Sequence, residues 1–209
     1  PTPYWVSYGD QVKMAEGVPV FVQAKEDNHF KVTVEQLEAA RTDKTKVLVL
    51  NSPSNPTGMI YSREELMAIG NWAVAHDVLI LADDIYGRLV YNGNEFVPIS
   101  SLSEAIRKQT IVINGVSKGY AMTCWRVGYA VGNPEIIAAM SKLTGQTTSN
   151  LTAVSQYATI EALTGPQDSV ETMRQAFEER LNTIYPLLCK VPGFEVVKPQ
   201  GAFYLFPNV

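Results

Sequence analysis

The sequence predicts an α/β fold, a three-layer α/β/α arrangement around a mostly parallel sheet, followed by the start of a small α+β domain. Three observations carry this expectation. Short apolar runs alternate with longer segments of helical period, the pattern of strands crossed over by helices. The runs are nearly continuous in apolar residues, as strands covered on both faces are. After Pro192-Gly193 the pattern changes to two short strand-like runs with no helix between them.

The strands are expected near 18–22, 46–51, 78–83, 110–114 and 127–131, with two more at 194–197 and 202–206 around Lys198-Pro199-Gln200-Gly201. Ser62-Arg63-Glu64-Glu65 has the spacing of a capping box, in which a hydroxyl and a carboxylate satisfy each other's end of a helix running to about His76. Asn133-Pro134 is a second start, an N-cap followed by proline at the first helical position, continued by 135–143. Further helices are expected over 151–163 and 166–189, the latter polar along one face. A boundary within or just before that long helix divides the chain into 1–168 and 169–209. No internal repeat is present.

The composition, 46% hydrophobic and 18% charged over 209 residues, is that of an ordinary globular protein. A net charge of −4 provides no basic surplus for phosphate backbones, so nucleic acid is not expected as a partner. Cys124 and Cys189 fit neither a metal-ligand spacing nor a disulfide framework, which makes a reducing cytoplasm the default compartment. With only His29 and His76, no histidine metal site is expected. The apolar runs are far shorter than the roughly 20 residues of a membrane helix. The opening Pro1-Thr2-Pro3 carries no initiator Met and no targeting peptide, and suggests a piece of a longer protein.

Polar stations stand at the carboxyl ends of three expected strands, where open parallel sheets place their ligands. Asn51 to Gly58 follows the first as a turn-forming run, in which the amide of Asn55 can donate to a phenolate oxygen. Asp83-Asp84-Ile85-Tyr86 follows the next; a carboxylate there is costly to bury without a cation or donor, and a protonated pyridine nitrogen is such a partner. Gly115 to Arg126 follows the third. Most lysines are solvated surface residues, but Lys118 is flanked by small and apolar residues, where an amine can lose its proton and act as a nucleophile; Arg126 can bind a phosphate in bidentate fashion, with a surface salt bridge as the alternative. Trp5, with Tyr4 beside it, offers a ring to stack on a flat heterocycle, although core packing is the commoner fate of such rings.

Taken together these segments resemble the class I and II aminotransferases of fold type I, most of all the bacterial aspartate and aromatic subgroup. The resemblance rests on Pro3-Tyr4-Trp5-Val6-Ser7-Tyr8, Asn51 to Gly58, Asp83 to Tyr86, Asn114 to Gly128 and Pro199 to Tyr204, and runs end to end. It implies pyridoxal 5′-phosphate as cofactor. Lys118 resembles the lysine bonded to the cofactor aldehyde, and Asp83 the carboxylate paired with the pyridinium. Asn55 and Tyr86 resemble the contacts of the 3′-oxygen, and Arg126, helped by Ser117, the phosphate site. Trp5 is the ring expected on the pyridine, with Tyr4 as the alternative. Residues 1–168 then correspond to part of a large cofactor-binding domain and 169–209 to the start of a small one.

The implied activity is transfer of an amino group from an amino acid, aspartate first among donors, to a 2-oxo acid such as 2-oxoglutarate, in a cytoplasmic homodimer. A lyase or synthase on the same fold, or an aminotransferase-like effector domain of a transcription regulator, are the other readings. Two positions depart from the family pattern. Cys124 stands where a small residue such as glycine is usual, and Gly115 replaces a serine that some relatives place on the phosphate. The resemblance also implies that a glycine turn upstream and a carboxylate-binding arginine downstream lie outside these residues, so the chain alone is expected to be weakly active or inactive.

Overall fold

The computed structural model describes residues 1–209. Its centre is a four-stranded sheet in the order β1 (Val47–Asn51), β2 (Leu79–Asp83), β3 (Thr110–Gly115), β4 (Gly128–Val131). The first three strands run parallel, in a register that sets Asn51 opposite Asp83 and Asp83 opposite Ile113. Helix α3 (Arg63–Ala75) crosses from β1 to β2, and α4 (Glu104–Lys108) precedes β3. The capping box forms as expected. Ser62 Oγ accepts from the Glu65 backbone N–H at 3.2 Å, and Glu65 accepts from the Ser62 N–H at 2.7 Å.

β4 departs from the parallel order, pairing antiparallel with β3. The connection between them contains only a single 3-10 turn at Thr123–Trp125. A parallel neighbour needs a crossover element. Without a helix to carry it across, the chain returns alongside β3 in the opposite direction.

The core lies on one face of the sheet. Leu48, Leu50, Ile80 and Ala82 point to that face and pack with Leu66, Ile69, Trp72 and Ala73 of α3 and with Ile106 of α4. The fit is close: a Cβ on Gly70 would lie 2.5 Å from Ile106 Cδ1. The alternate residues Val49, Leu79 and Leu81 stay half-buried, and Val47 is exposed. The two faces of these strands are covered to different degrees, the α3 face fully and the other in part. Their second-face side chains are apolar, which made the runs continuous, yet the described chain covers them only in part.

Helices α5 (Pro134–Thr147), α6 (Ala153–Thr164) and α7 (Asp168–Leu188) follow β4, close to the expected bounds. Three further helices, α1 (Ser7–Met14), α2 (Val34–Ala40) and α4, are too short to show a helical period in the sequence. Phe177, Leu181 and Tyr185 of α7 form a second cluster with Tyr86, Leu89, Tyr91 and Ala202. Arg174, ion-paired with Glu171 and Glu178, also donates to the Val90 carbonyl at 3.1 Å.

Two expected strands are absent. Residues 18–22 have β-like residues but form no strand, and Val18, Val20 and Phe21 are exposed; the segment's backbone pairing is a single bridge between Thr2 and Gln23, with Thr2 N–H donating to the Val22 carbonyl at 2.9 Å. Residues 202–206 begin instead with a turn, since Ala202 is left-handed at φ 58°. The expected hairpin shrinks to β5 (Glu195–Val196) paired with β6 (Pro207–Asn208).

Because Ile80 is fully buried between sheet and helices, Ile80→Ala is expected to cost about 2–5 kcal/mol. Urea unfolding followed by far-UV circular dichroism would reveal it as a lowered midpoint with an unchanged slope.

Candidate active site

The parallel register brings the carboxyl ends of β1, β2 and β3 to one level, and the polar stations meet there. Asn51, the last residue of β1, ties two of them together. Its Nδ2 donates to the Asp83 carbonyl at 2.9 Å, and its Oδ1 accepts from the Asn55 backbone N–H at 2.7 Å. The loop after it is closed by Gly58 N–H on the Ser54 carbonyl at 2.8 Å and by Ser54 N–H on the Met59 carbonyl at 3.0 Å. Asn55 is thereby fixed over the end of the strand next to that of Asp83.

Asp83 makes no ion pair. One carboxylate oxygen accepts from the Tyr8 hydroxyl at 2.5 Å, and the other from the Ile85 backbone N–H at 3.2 Å. Burial first, and then the Asp83 charge, push the Tyr8 hydroxyl far above its ordinary range, so Tyr8 stays protonated and remains a donor. The neighbouring Asp84 has the opposite fate. It is 6% exposed with no partner for its side chain, and burial together with the Asp83 charge raises it to about 7.

Tyr86 is almost fully buried, and its hydroxyl lies 2.6 Å from that of Tyr204. Tyr204 in turn accepts from Asn55 Nδ2 at 3.2 Å. Burial above all raises the Tyr86 hydroxyl well above its ordinary range. The Lys118 ammonium nitrogen lies 5.9 Å from the centre of the Tyr86 ring and 5.4 Å from that of Phe203, and it forms no ion pair. Lys118 is half-buried in the turn after β3, beside the half-buried Ser117.

Arg126 is exposed in a left-handed conformation at φ 57°, with Nη1 donating to the Thr123 carbonyl at 2.8 Å. It has no acidic partner, so the surface salt bridge that is the ordinary fate of an arginine does not form. Trp5 is 41% exposed and meets the Tyr8 ring edge-on, with centroids 5.4 Å apart. Tyr4 is committed elsewhere, stacked on Phe21 at 5.1 Å. Of the two aromatic candidates, Trp5 alone neighbours a residue that touches Asp83.

The departure at Gly115 has a steric cause: a Cβ there would lie 2.7 Å from the Val127 carbonyl oxygen. Cys124 is exposed and crowds nothing essential. Tyr8, Asn51 and Tyr204 had no role assigned from sequence. Tyr8 and Tyr204 lie inside quoted motif segments, and Asn51 opens one, but nothing in a linear reading says which of a segment's polar groups turns inward.

Fold and site together define an α/β protein whose carboxylate, lysine and amide converge at neighbouring strand ends. The chain belongs to the aminotransferase class I and II family, whose model matches residues 1–209. It is 77% identical to an asparagine–oxo-acid transaminase of Streptococcus mutans over 100% of this chain and 53% of that one. It is 60% identical to an aspartate aminotransferase of Bacillus sp. strain YM-2, with the same shares. Among solved structures, the aspartate aminotransferase from Rhizobium meliloti superposes with a TM-score of 0.97 at 41% identity, over 100% of this chain and 52% of that one. The aromatic aminotransferase from Pyrococcus horikoshii OT3 gives 0.96 at 36%, over 100% and 56%. The chain spans about half the length of the curated relatives it matches.

The unpartnered Asp84 carries a pH signature. Its folded-state value of about 7 stands above the ordinary 3.8, so the folded state holds a proton that the unfolded state releases between these values. Stability from this group is complete below about 4 and lost as pH rises through 7. Asp84→Asn should therefore gain thermal stability relative to the parent as pH is raised from 4 to 8, read as a growing difference in Tm.

Proposed function

We propose that this chain is the core of a pyridoxal 5′-phosphate-dependent amino-acid:2-oxo-acid aminotransferase. The observation that carries the reading is the pairing of an Asp83 without any basic partner with a Lys118 without any acidic one, at the same end of the sheet. A carboxylate and an amine at one end of the sheet, each without an ionic partner, fit a ligand that engages both. The donor set agrees with a phosphorylated pyridine aldehyde. Lys118 would bond the aldehyde, Asp83 would meet the ring nitrogen, and Asn55 and Tyr86 would meet the 3′-oxygen. Trp5 would cover the ring, and Arg126 with Ser117 would hold the phosphate.

When bound, the cofactor supplies an electron-accepting ring for the bond made labile at the substrate's Cα. The residues supply the rest. Tyr8 pins one oxygen of Asp83 and so orients the carboxylate that would meet the ring nitrogen. Tyr86, kept neutral by burial, donates rather than accepts at the 3′-oxygen. Lys118, between two aromatic faces and free of carboxylates, carries a proton to and from Cα as base and then acid.

The relatives' names support an amino donor of the aspartate type, with the amide asparagine added by the 77% identical transaminase. 2-Oxoglutarate is the acceptor. The partners are small amino and oxo acids, and the working unit is a cytoplasmic homodimer in which residues 1–168 belong to the large domain and 169–209 open the small one. No helix of the structure is long and apolar enough to cross a membrane, and the acidic charge offers nothing to nucleic acid.

The test uses the full-length protein loaded with pyridoxal 5′-phosphate. Aspartate and asparagine, each offered with 2-oxoglutarate, should yield glutamate. Ammonia and pyruvate released without an acceptor would instead mark a lyase. Lys118→Ala should lower kcat by a factor of about 10²–10⁴ or more and abolish covalent retention of the cofactor after borohydride reduction; retention undiminished in that variant would remove Lys118 from its role.

A further inference from the structure

Tyr204 comes from a segment held in place by its backbone. The Gln200 and Gly201 N–H groups both donate to the Gly58 carbonyl at 2.9 Å, Tyr91 N–H donates to the Gln200 carbonyl at 2.9 Å, and Ala202 N–H donates to the Leu89 carbonyl at 2.9 Å. The Gln200 side chain bonds to Ile60 N–H at 3.0 Å and to Asn94 at 2.9 Å, and the Tyr91 hydroxyl donates to the Ala202 carbonyl. No slack remains in this corner: a Cβ on Gly58 would lie 2.5 Å from Pro199 Cβ, and one on Gly201 2.7 Å from the Leu89 carbonyl oxygen. The Tyr204 ring packs against Phe203 at 4.8 Å and Tyr86 at 5.7 Å between centroids.

The 2.6 Å contact between the Tyr86 and Tyr204 hydroxyls admits either as donor, and the choice decides which hydrogen is left free. A tyrosine has a single proton to give, and an amide nitrogen can only donate. Asn55 Nδ2 donates into the Tyr204 oxygen, and in one order the Tyr204 proton goes to the Tyr86 oxygen. The Tyr86 hydrogen is then free for an acceptor outside the chain. The reverse order would leave the Tyr204 hydrogen as the free one; the placement of Tyr86 on the 3′-oxygen in the proposed function selects the first.

We propose that Tyr204 is a positioning residue for the cofactor's 3′-oxygen: it takes one hydrogen bond from Asn55 and gives one to Tyr86, turning the Tyr86 hydroxyl into a donor aimed at that oxygen. Donors in series polarise one another, so each strengthens the next. The C-terminal segment thus sets the strength of a contact made by residues more than a hundred positions earlier. This inference rests on the cofactor reading above.

The experiment is a pH titration of the bound cofactor's absorbance in the full-length, cofactor-loaded protein. Donors on the 3′-oxygen stabilise its anion and let the neighbouring proton leave at lower pH. Tyr204→Phe keeps the ring packing and removes the relay, and the midpoint should rise by about 0.5–1 pH unit, the scale of one hydrogen bond. In a Tyr86→Phe background the same substitution should add less than a third of that shift, since the recipient of the relay is gone. 3-Fluorotyrosine at 204, a stronger donor, should move the midpoint down, and it serves equally if Tyr204→Phe does not fold. An unmoved midpoint in both Tyr204 variants, or full additivity with Tyr86→Phe, would overturn the proposal while leaving the cofactor reading intact. A parent protein that binds no cofactor would bring down both.

Discussion

Everything at this site depends on the register of three parallel strands. With Asn51 opposite Asp83 in neighbouring strands, one side chain can reach across to the Asp83 carbonyl and also back to the Asn55 backbone. A slip of one residue would turn Asn51 to the other face of the sheet, because side chains alternate along a strand. The register is held from the opposite side. Leu48, Leu50, Ile80 and Ala82 fill the face toward α3, and their alternation with the half-buried set leaves no second way to pair. Hydrophobic packing below and polar geometry above are therefore two sides of the same pleat.

The electrostatics follow from how the two adjacent aspartates are treated. Asp83 has two donors, a hydroxyl and a backbone amide, and remains available to a cation. Asp84, one residue on and pointing the other way along the pleat, has none and is driven toward its neutral form. Consecutive carboxylates with the same covalent chemistry thus sit in different surroundings: Asp83 between two donors, Asp84 buried beside the Asp83 charge. Tyr8 has the same influence on Asp83 that Tyr204 has on Tyr86: each is a hydroxyl kept neutral or spent so that its neighbour has a defined role.

What the sequence made legible were groups whose chemistry is unusual for their place. A lysine among small and apolar neighbours and an aspartate at the end of an apolar run both stand out against ordinary surface behaviour, and the structure brings Lys118, Asp83, Asn55 and Tyr86 to one end of the sheet. The capping box at Ser62 was equally legible, since both partners lie within one turn. Tyr8, Asn51 and Tyr204 were not. Their partners are 75, 32 and as many as 149 positions away, and only tertiary pairing selects them. Residues 18–22 misled for the converse reason: β-branched and aromatic residues satisfy a strand pattern, but a strand needs a ladder of partners, and the pairing here is the single bridge between Thr2 and Gln23. Residues 202–206 misled because a left-handed residue at 202 turns the chain into the site.

The corner where Pro199 and Gly201 meet Gly58 has a consequence for the order in which the molecule is made. Loop 51–58 and the Tyr86 turn leave the ribosome well before the segment that sews them together, and closing so long a loop is entropically slow. Until residue 204 emerges, the nascent chain carries an amide and a phenol with no hydroxyl between them. The amide of Asn55 and the phenol of Tyr86 therefore gain the hydroxyl that links them only once residues 199–204 have been made.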